Sequence, residues 1–368
     1  MIKVLVIDDS AVMRAFLGRV VGSQPDMELA GVVPDPLLAI ERVRRASPDV
    51  ITLDVEMPGM NGLDFLRNLM AVRPLPVIMI SSLTRQGADT TLRALELGAV
   101  DFFPKPDSFA ELDELALDIA EKIRAAAQAK VVRRKPAAPP ERVFQRVARP
   151  HAAATGAVIG IGASTGGVEA LRSMLTQLPA IMPPILVAQH MLPGFTEAFA
   201  RRLDSICALQ VKQAEEGEQA CEGCVYVAPG GRHLKIERRL ARYVLRVTEE
   251  PPVNRHRPSV DTLFRSMADA CGAQAIALML TGMGGDGAEA MLALRERGAR
   301  TIAQDEATSV VFGMPRQAIA LGAACEVLPL PQMAQRLKEL AGVAQAAPEE
   351  AALGARYGQT GRVAPGLE

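Results

Sequence analysis

Over its first 126 or so residues the chain alternates, five times, a short apolar run with a stretch carrying apolar residues at helical spacing. The apolar runs fall near residues 2–7, 27–33, 49–53, 76–80 and 99–102, and the helical patterns near 12–22, 36–45, 62–70, 86–96 and 111–126. A helix between two strands returns the chain to the edge it started from, so the strands it joins lie parallel. Repetition of that unit predicts a doubly wound α/β fold with five parallel strands. The residues that directly follow the strands then meet along one edge.

Those residues are not arbitrary. Asp8 and Asp9 follow the first run, Asp54 ends the third, Ser81 follows the fourth and Lys105 follows the fifth. Any one of them alone reads as a solvated strand end. Together, three converging carboxylates call for a cation, and the set suits a hard metal such as Mg²⁺. With Lys105 and the Ser81 hydroxyl, it would surround a phosphoryl group carried by Asp54 and neutralise its oxygens.

Periodicity is lost from about Ala125 to His151 in Ala, Pro and Arg, which predicts a flexible linker over 125–152 between a first domain of residues 1–124 and a second of 153–342. The second block is again α/β, with strands expected near 157–161, 184–189, 224–228, 275–280 and 300–303. Residues 232–249 alternate as an antiparallel hairpin would, so its sheet is expected to be mainly parallel with that hairpin added. Residues 343–368 are polar and rich in Ala, Gly and Pro and read as a disordered tail.

The strand near 157–161 runs into Gly162-Ala163-Ser164-Thr165-Gly166-Gly167. G-x-S-x-G on a strand-to-helix turn can present a serine hydroxyl beside free backbone N–H groups, as acyl transfer requires; the same glycines also suit a phosphate-binding turn. Of four histidines, His151 lies in the linker, leaving His190, His233 and His256 as partners for Ser164. His190 follows the run 185–189 and so shares the serine's edge; His233 and His256 remain possible. A third strand runs into Thr281-Gly282-Met283-Gly284-Gly285-Asp286-Gly287, where a carboxylate could orient an imidazole and the loop N–H groups could receive an oxyanion. The order Ser, His, Asp is not that of α/β-hydrolases.

Composition narrows the classes. A net charge of −1 over 368 residues gives no pull toward nucleic acid. An unpaired number of cysteines, five, in a chain without an export signal argues against a disulfide framework, and Cys221-Glu222-Gly223-Cys224 lacks a second ligand pair and reads as a turn. Without a signal segment or an apolar run of about 18 residues, the protein is expected to be cytoplasmic, with no direct membrane insertion.

The stretch from Val4-Leu5-Val6-Ile7-Asp8-Asp9 through Asp54-Val55-Glu56-Met57-Pro58-Gly59-Met60-Asn61-Gly62 to Pro104-Lys105-Pro106 resembles the two-component receiver domain, which has a flavodoxin-like sheet. The resemblance implies Asp54 as phosphoacceptor and Mg²⁺ held by Asp8, Asp9 and Asp54 with the Glu56 carbonyl. It further implies phosphoryl contacts from Ser81 and Lys105, and Phe102 as the switch aromatic or, equally, a core phenylalanine. The blocks Gly160–Gly167, Gln189-His190-Met191, Tyr226-Val227-Ala228-Pro229-Gly230, Arg257-Pro258-Ser259-Val260-Asp261 and Leu280–Gly287 resemble the CheB receptor protein-glutamate methylesterases of bacterial chemotaxis. That resemblance implies Ser164 as nucleophile, His190 as general base, Asp286 as its partner, and the Met283 N–H, with Thr165 beside it, as oxyanion donors. It leaves His233 and His256 as substrate-face candidates. The substrates implied are methyl-accepting chemoreceptors, the phosphodonor a CheA-type histidine kinase, and no cofactor serves the ester chemistry. A receiver whose output binds a nucleotide is the competing reading. From its place upstream of the linker, the receiver is expected to pack near the Ser164 edge and obstruct substrate.

Overall fold

A computed structural model describes residues 1–57, 60–82, 84–105, 112–131 and 156–342. Pro58, Gly59 and Pro106, His151 with most of the expected linker, and all of the expected tail lie outside them.

The first half runs β1 (Ile2–Ile7), α1 (Ala11–Gly22), β2 (Met27–Val33), α2 (Pro36–Ala46), β3 (Val50–Asp54), α3 (Gly62–Val72), β4 (Val77–Ser81), α4 (Arg85–Leu97), β5 (Asp101–Pro104) and α5 (Leu112–Ala127). Polar caps start several helices where the apolar periodicity begins: the Ser10, Asp35 and Asn61 side chains accept N–H groups of α1, α2 and α3. All strands pair in parallel in the order β2-β1-β3-β4-β5. The order reverses between β1 and β3, so the ends bearing Asp8 and Asp54 flank the crevice where such sheets bind ligands. Ala125–Ala127, expected in the linker, complete α5, and the Lys130 N–H then reaches the Val310 carbonyl of the second half at 3.2 Å.

The second half runs β6 (Val158–Ala163), α6 (Gly167–Leu175), β7 (Ile185–Gln189), α7 (Phe195–Ile206), β8 (Gln210–Gln213), β9 (Cys224–Val227), β10 (His233–Arg239), β11 (Arg242–Thr248), α8 (Val260–Ala270), β12 (Ala275–Met279), α9 (Ala288–Glu296), β13 (Arg300–Gln304), α10 (Met314–Ala320), β14 (Glu326–Leu328) and α11 (Leu330–Leu340). Its seven-stranded sheet has the order β14-β13-β12-β6-β7-β9-β8, parallel at every pairing. The expected hairpin forms from β10 and β11 as a second, two-stranded sheet, with Val244 of β11 also bridged to Gln219; it is separate from the main sheet, which is therefore not mixed. Its buried face, Leu234, Ile236 and Leu245, packs with Phe264 and Met267 of α8. The order again reverses beside β6, between β6 and β12, which puts Ser164 and the 281–286 loop at the second crevice.

The two halves share one apolar cluster, in which Leu92, Leu95 and Phe102 join Val168, Phe195, Phe199 and Leu203. None of the five cysteines is in a disulfide, and among the described residues no helix is long and apolar enough to cross a membrane.

Candidate active site

Ser164 and His190 are the first residues beyond β6 and β7, and Ala163 is in register with Gln189. Neighbouring strands lie about 4.8 Å apart, so this register sets the two side by side. The His190 N–H donates to the Ala163 carbonyl at 3.0 Å, and the Gln189 side-chain amide donates to both the Ser164 and the His190 carbonyls, at 3.0 and 3.1 Å. On the other flank the Ser164 N–H donates to the Thr281 carbonyl at 3.0 Å, while the Thr281 hydroxyl bonds the Thr165 carbonyl at 3.0 Å. The backbone packs here so closely that a Cβ on Gly282 would stand 2.7 Å from that of Ser164, and Gly166 has φ +78° with Val310 against it. Only glycine meets both demands.

Asp286 precedes α9 and is nearly fully buried. Its Oδ2 accepts from His190 Nε2 at 2.8 Å and from the Val260 N–H at 2.6 Å; its Oδ1 accepts from Asn254 Nδ2 and Ser259 Oγ, each at 2.8 Å, and from the Asp261 N–H at 3.3 Å. Burial pushes the carboxyl up, but His190, Asn254 and Ser259 outweigh burial and hold it down at about 2. His190 thus meets a carboxylate through Nε2, while its Nδ1 is buried without a partner among the described residues. The Met283 and Thr165 N–H groups likewise donate to nothing among the described residues. Serine hydroxyl, basic nitrogen, carboxylate and two unused donors are the parts that acyl transfer needs.

The remaining histidines divide. His233, offered above as a substrate-face residue, is fully buried: its Nε2 donates to the Pro251 carbonyl at 3.0 Å and its Nδ1 accepts the Ser259 N–H at 3.3 Å. It supports the segment that holds Asp286. His256 is half-buried, its ring stacked on that of His190.

In the first half, ligand atoms of Asp8, Asp9 and Asp54 lie within 4.8 Å of one another. Asp54 Oδ2 accepts from Lys105 Nζ at 2.7 Å and its Oδ1 from the Glu56 N–H at 3.2 Å. Asp8 keeps one buried oxygen unpartnered, and burial, then Asp54, push its carboxyl up to about 6. Three crowded acids, one with an orphaned oxygen, fit a hard divalent cation. The buried Ser81 hydroxyl bonds the Gly87 carbonyl in the first turn of α4, at 3.2 Å.

The first half also reaches the second site. The Thr165 hydroxyl donates to Asp101 Oδ2 at 2.5 Å, while Asp101 Oδ1 accepts from Lys122 Nζ at 3.1 Å. Phe102 is buried against Phe195 with ring centroids 4.4 Å apart. The cavity lined by Ser164, His190 and Met191 is walled by Val100, Asp101 and Phe102 and encloses about 20 Å³. That is room for about one water molecule.

Residues 159–337 match the CheB methylesterase family model and residues 4–116 the response regulator receiver domain. The protein-glutamate methylesterase/protein-glutamine glutaminase of Bordetella pertussis is 53% identical over 342 residues, 91% of this chain and 96% of that one. The chain belongs to the CheB methylesterase family. The Pectobacterium atrosepticum relative of the same name is 51% identical, with the same two coverages. The Thermotoga maritima CheB methylesterase catalytic domain, 41% identical, aligns with a TM-score of 0.50 over 50% of this chain and 99% of that one. Membership favours the esterase reading over a nucleotide-binding output.

In this CheB-family chain the residues expected at each edge come together in two groups, with Ser164, His190, Asp286, Thr165 and Met283 in one and Asp8, Asp9, Asp54 and Lys105 in the other. Sequence reasoning gave no role to Gln189, Asn254, Ser259 or Asp101. Ser259 alone left a local signal, a serine directly before the first apolar residue of α8, where an N-cap belongs.

Proposed function

We propose that this chain is a phosphorylation-gated hydrolase acting on glutamyl methyl esters, and on glutamine side chains, of chemoreceptors in the cytoplasm. The observation that carries the chemistry is the His190 Nε2 to Asp286 bond beside Ser164, which leaves Nδ1 unpartnered. Ser164 Oγ attacks the ester carbonyl and Nδ1 of His190 takes its proton. The oxyanion receives the Met283 and Thr165 N–H groups; the C–O bond breaks and the proton passes to the departing methoxide, giving methanol. Water then repeats the sequence in reverse, releasing the glutamate carboxylate and free Ser164. With glutamine the leaving group is ammonia. Asp286 stabilises the imidazolium formed in each step. As proposed, the ester reaction draws on Ser164, His190, Asp286 and the two backbone donors, with no cofactor.

In the receiver, Asp8, Asp9 and Asp54, with the Glu56 carbonyl, would hold Mg²⁺, which when bound neutralises phosphoryl charge. Asp54 is the acceptor, the phosphodonor a CheA-type histidine kinase. Lys105 and Ser81 take the phosphoryl oxygens, and to do so Ser81 releases Gly87 of α4. Because α4, Asp101 and Phe102 wall the Ser164 cavity, that release favours separation of the halves and admits substrate. Ser164→Ala should cut methanol release from methylated receptor by at least about 10⁴-fold. Wild-type turnover in that variant would sink the assignment.

A further inference from the structure

We infer that His256 is a positioning residue for the hydrolysis, its ring holding the His190 imidazole in the plane from which Nδ1 meets Ser164. This rests on the reading of Ser164 and His190 given above. The two rings stack with centroids 3.7 Å apart and planes 17° from parallel. His190 has one hydrogen bond through its ring, from Nε2 to Asp286, and none at Nδ1, so that bond alone leaves the ring free to rock about it. A flat neighbour at stacking distance blocks that motion on one face.

The segment bearing His256 is built to present it. Val253 and His256 exchange both backbone hydrogen bonds, at 3.1 and 2.9 Å, across Asn254 and Arg255. Both central residues are left-handed, φ 52° and 65°, the pattern of a type I′ turn, and Arg255 stands where such turns favour glycine. Strain of this kind persists where neighbours over-determine the backbone. Here the same turn delivers Asn254 to Asp286 and His256 to His190, so it grips both members of the pair.

Charge sets a further condition. During turnover His190 becomes a cation, and a neutral aromatic face tolerates a stacked cation where a second imidazolium would repel it. His256 meets Asp286 and His190 from the sheet edge, Lys122 of α5, and its own neighbour Arg255, which pairs with Glu121 of α5. With the halves closed, burial first, then His190, Lys122 and Arg255, hold its pKa at about 3 against the pull of Asp286, so the face it turns to His190 is that of a neutral imidazole.

The test uses the full-length chain with a phosphodonor and methylated receptor, measuring methanol release across pH and melting temperature for each variant. Positioned general-base catalysis contributes about 10²–10⁴-fold, and loss of positioning alone should lower kcat roughly tenfold in His256→Ala with KM little changed. His256→Phe keeps a flat ring that cannot titrate; it should recover most of the loss and keep the wild-type acid limb. Wild-type kcat in His256→Ala, with Ser164→Ala and His190→Ala inactive, overturns this inference alone. His256→Phe as slow as His256→Ala, both melting normally, overturns stacking as the cause. Activity in Ser164→Ala or His190→Ala instead overturns the reading beneath it.

Discussion

Asp8, just after β1, and Asp286, in the loop between β12 and α9, are both buried carboxylates, yet their surroundings drive them in opposite directions. His190, Asn254 and Ser259 hold Asp286 down at about 2 against its burial, while burial, then the neighbouring Asp54, push Asp8, which has an orphaned oxygen, up to about 6. A carboxyl raised in the folded state binds its proton more tightly there than when unfolded. Stability from Asp8 is therefore greatest below about pH 4 and falls as pH rises toward about 6. With chelator present, the receiver should melt at a higher temperature at pH 5 than at pH 7. Added Mg²⁺ should raise the melting temperature more at pH 7, and Asp8→Asn should flatten both trends; calorimetry decides. Asp286 has the reverse sign, its stabilisation lost as pH falls from about 4 through about 2. Ser259 both caps α8 and donates to Asp286. Ser259→Ala should cost about 2 kcal/mol in urea denaturation and lower kcat as well.

At the scale of elements, β5 and α4 form the contact that matters most. Asp101 binds Thr165 with one oxygen and Lys122 with the other, and Glu96 of α4 pairs with Arg202 of α7. A hydrogen bond to a charged group is worth about 1.5–3 kcal/mol, so Asp101→Ala should raise methanol release without phosphodonor roughly tenfold. Glu96→Arg should raise it too, and adding Arg202→Glu should bring it back; an unchanged basal rate in both would exclude this contact as the latch. The central strands and the residues closing them, though not the order in which they lie side by side, were legible from the sequence because a buried parallel strand must be apolar throughout. β8 and β14 were not: Gln210-Val211-Lys212-Gln213 and Glu326-Val327-Leu328 lie on the sheet's edges, short and polar as edges tend to be. β5 begins two residues later than the apolar run suggested, since Ala99 and Val100 are buried outside any strand. Asp101 and Asn254 were missed for another reason. Their partners lie 64 and 32 residues away, and no periodicity encodes a contact between separate elements. Nor did sequence tell a fully buried, twice-bonded His233 from one facing substrate.

For the molecule as a whole, each sheet carries its site where its strand order reverses, and the first sheet's flank closes the second sheet's site. Deleting residues 1–150 should therefore raise basal esterase activity. The same deletion bares Phe195, Phe199 and Leu203, so the truncated protein should bind more hydrophobic dye than the intact one. A truncated enzyme no faster than the intact one would count against gating. The cavity of about 20 Å³ also turns the closed enzyme into its own clock. A serine-directed sulfonyl fluoride far exceeds that volume and can label Ser164 only in molecules that have opened. Its labelling rate is then the intrinsic rate multiplied by the open fraction. If phosphorylation acts only by opening, a phosphodonor will speed labelling and methanol release by one common factor, and any gap between the two measures what phosphorylation does to the chemistry itself.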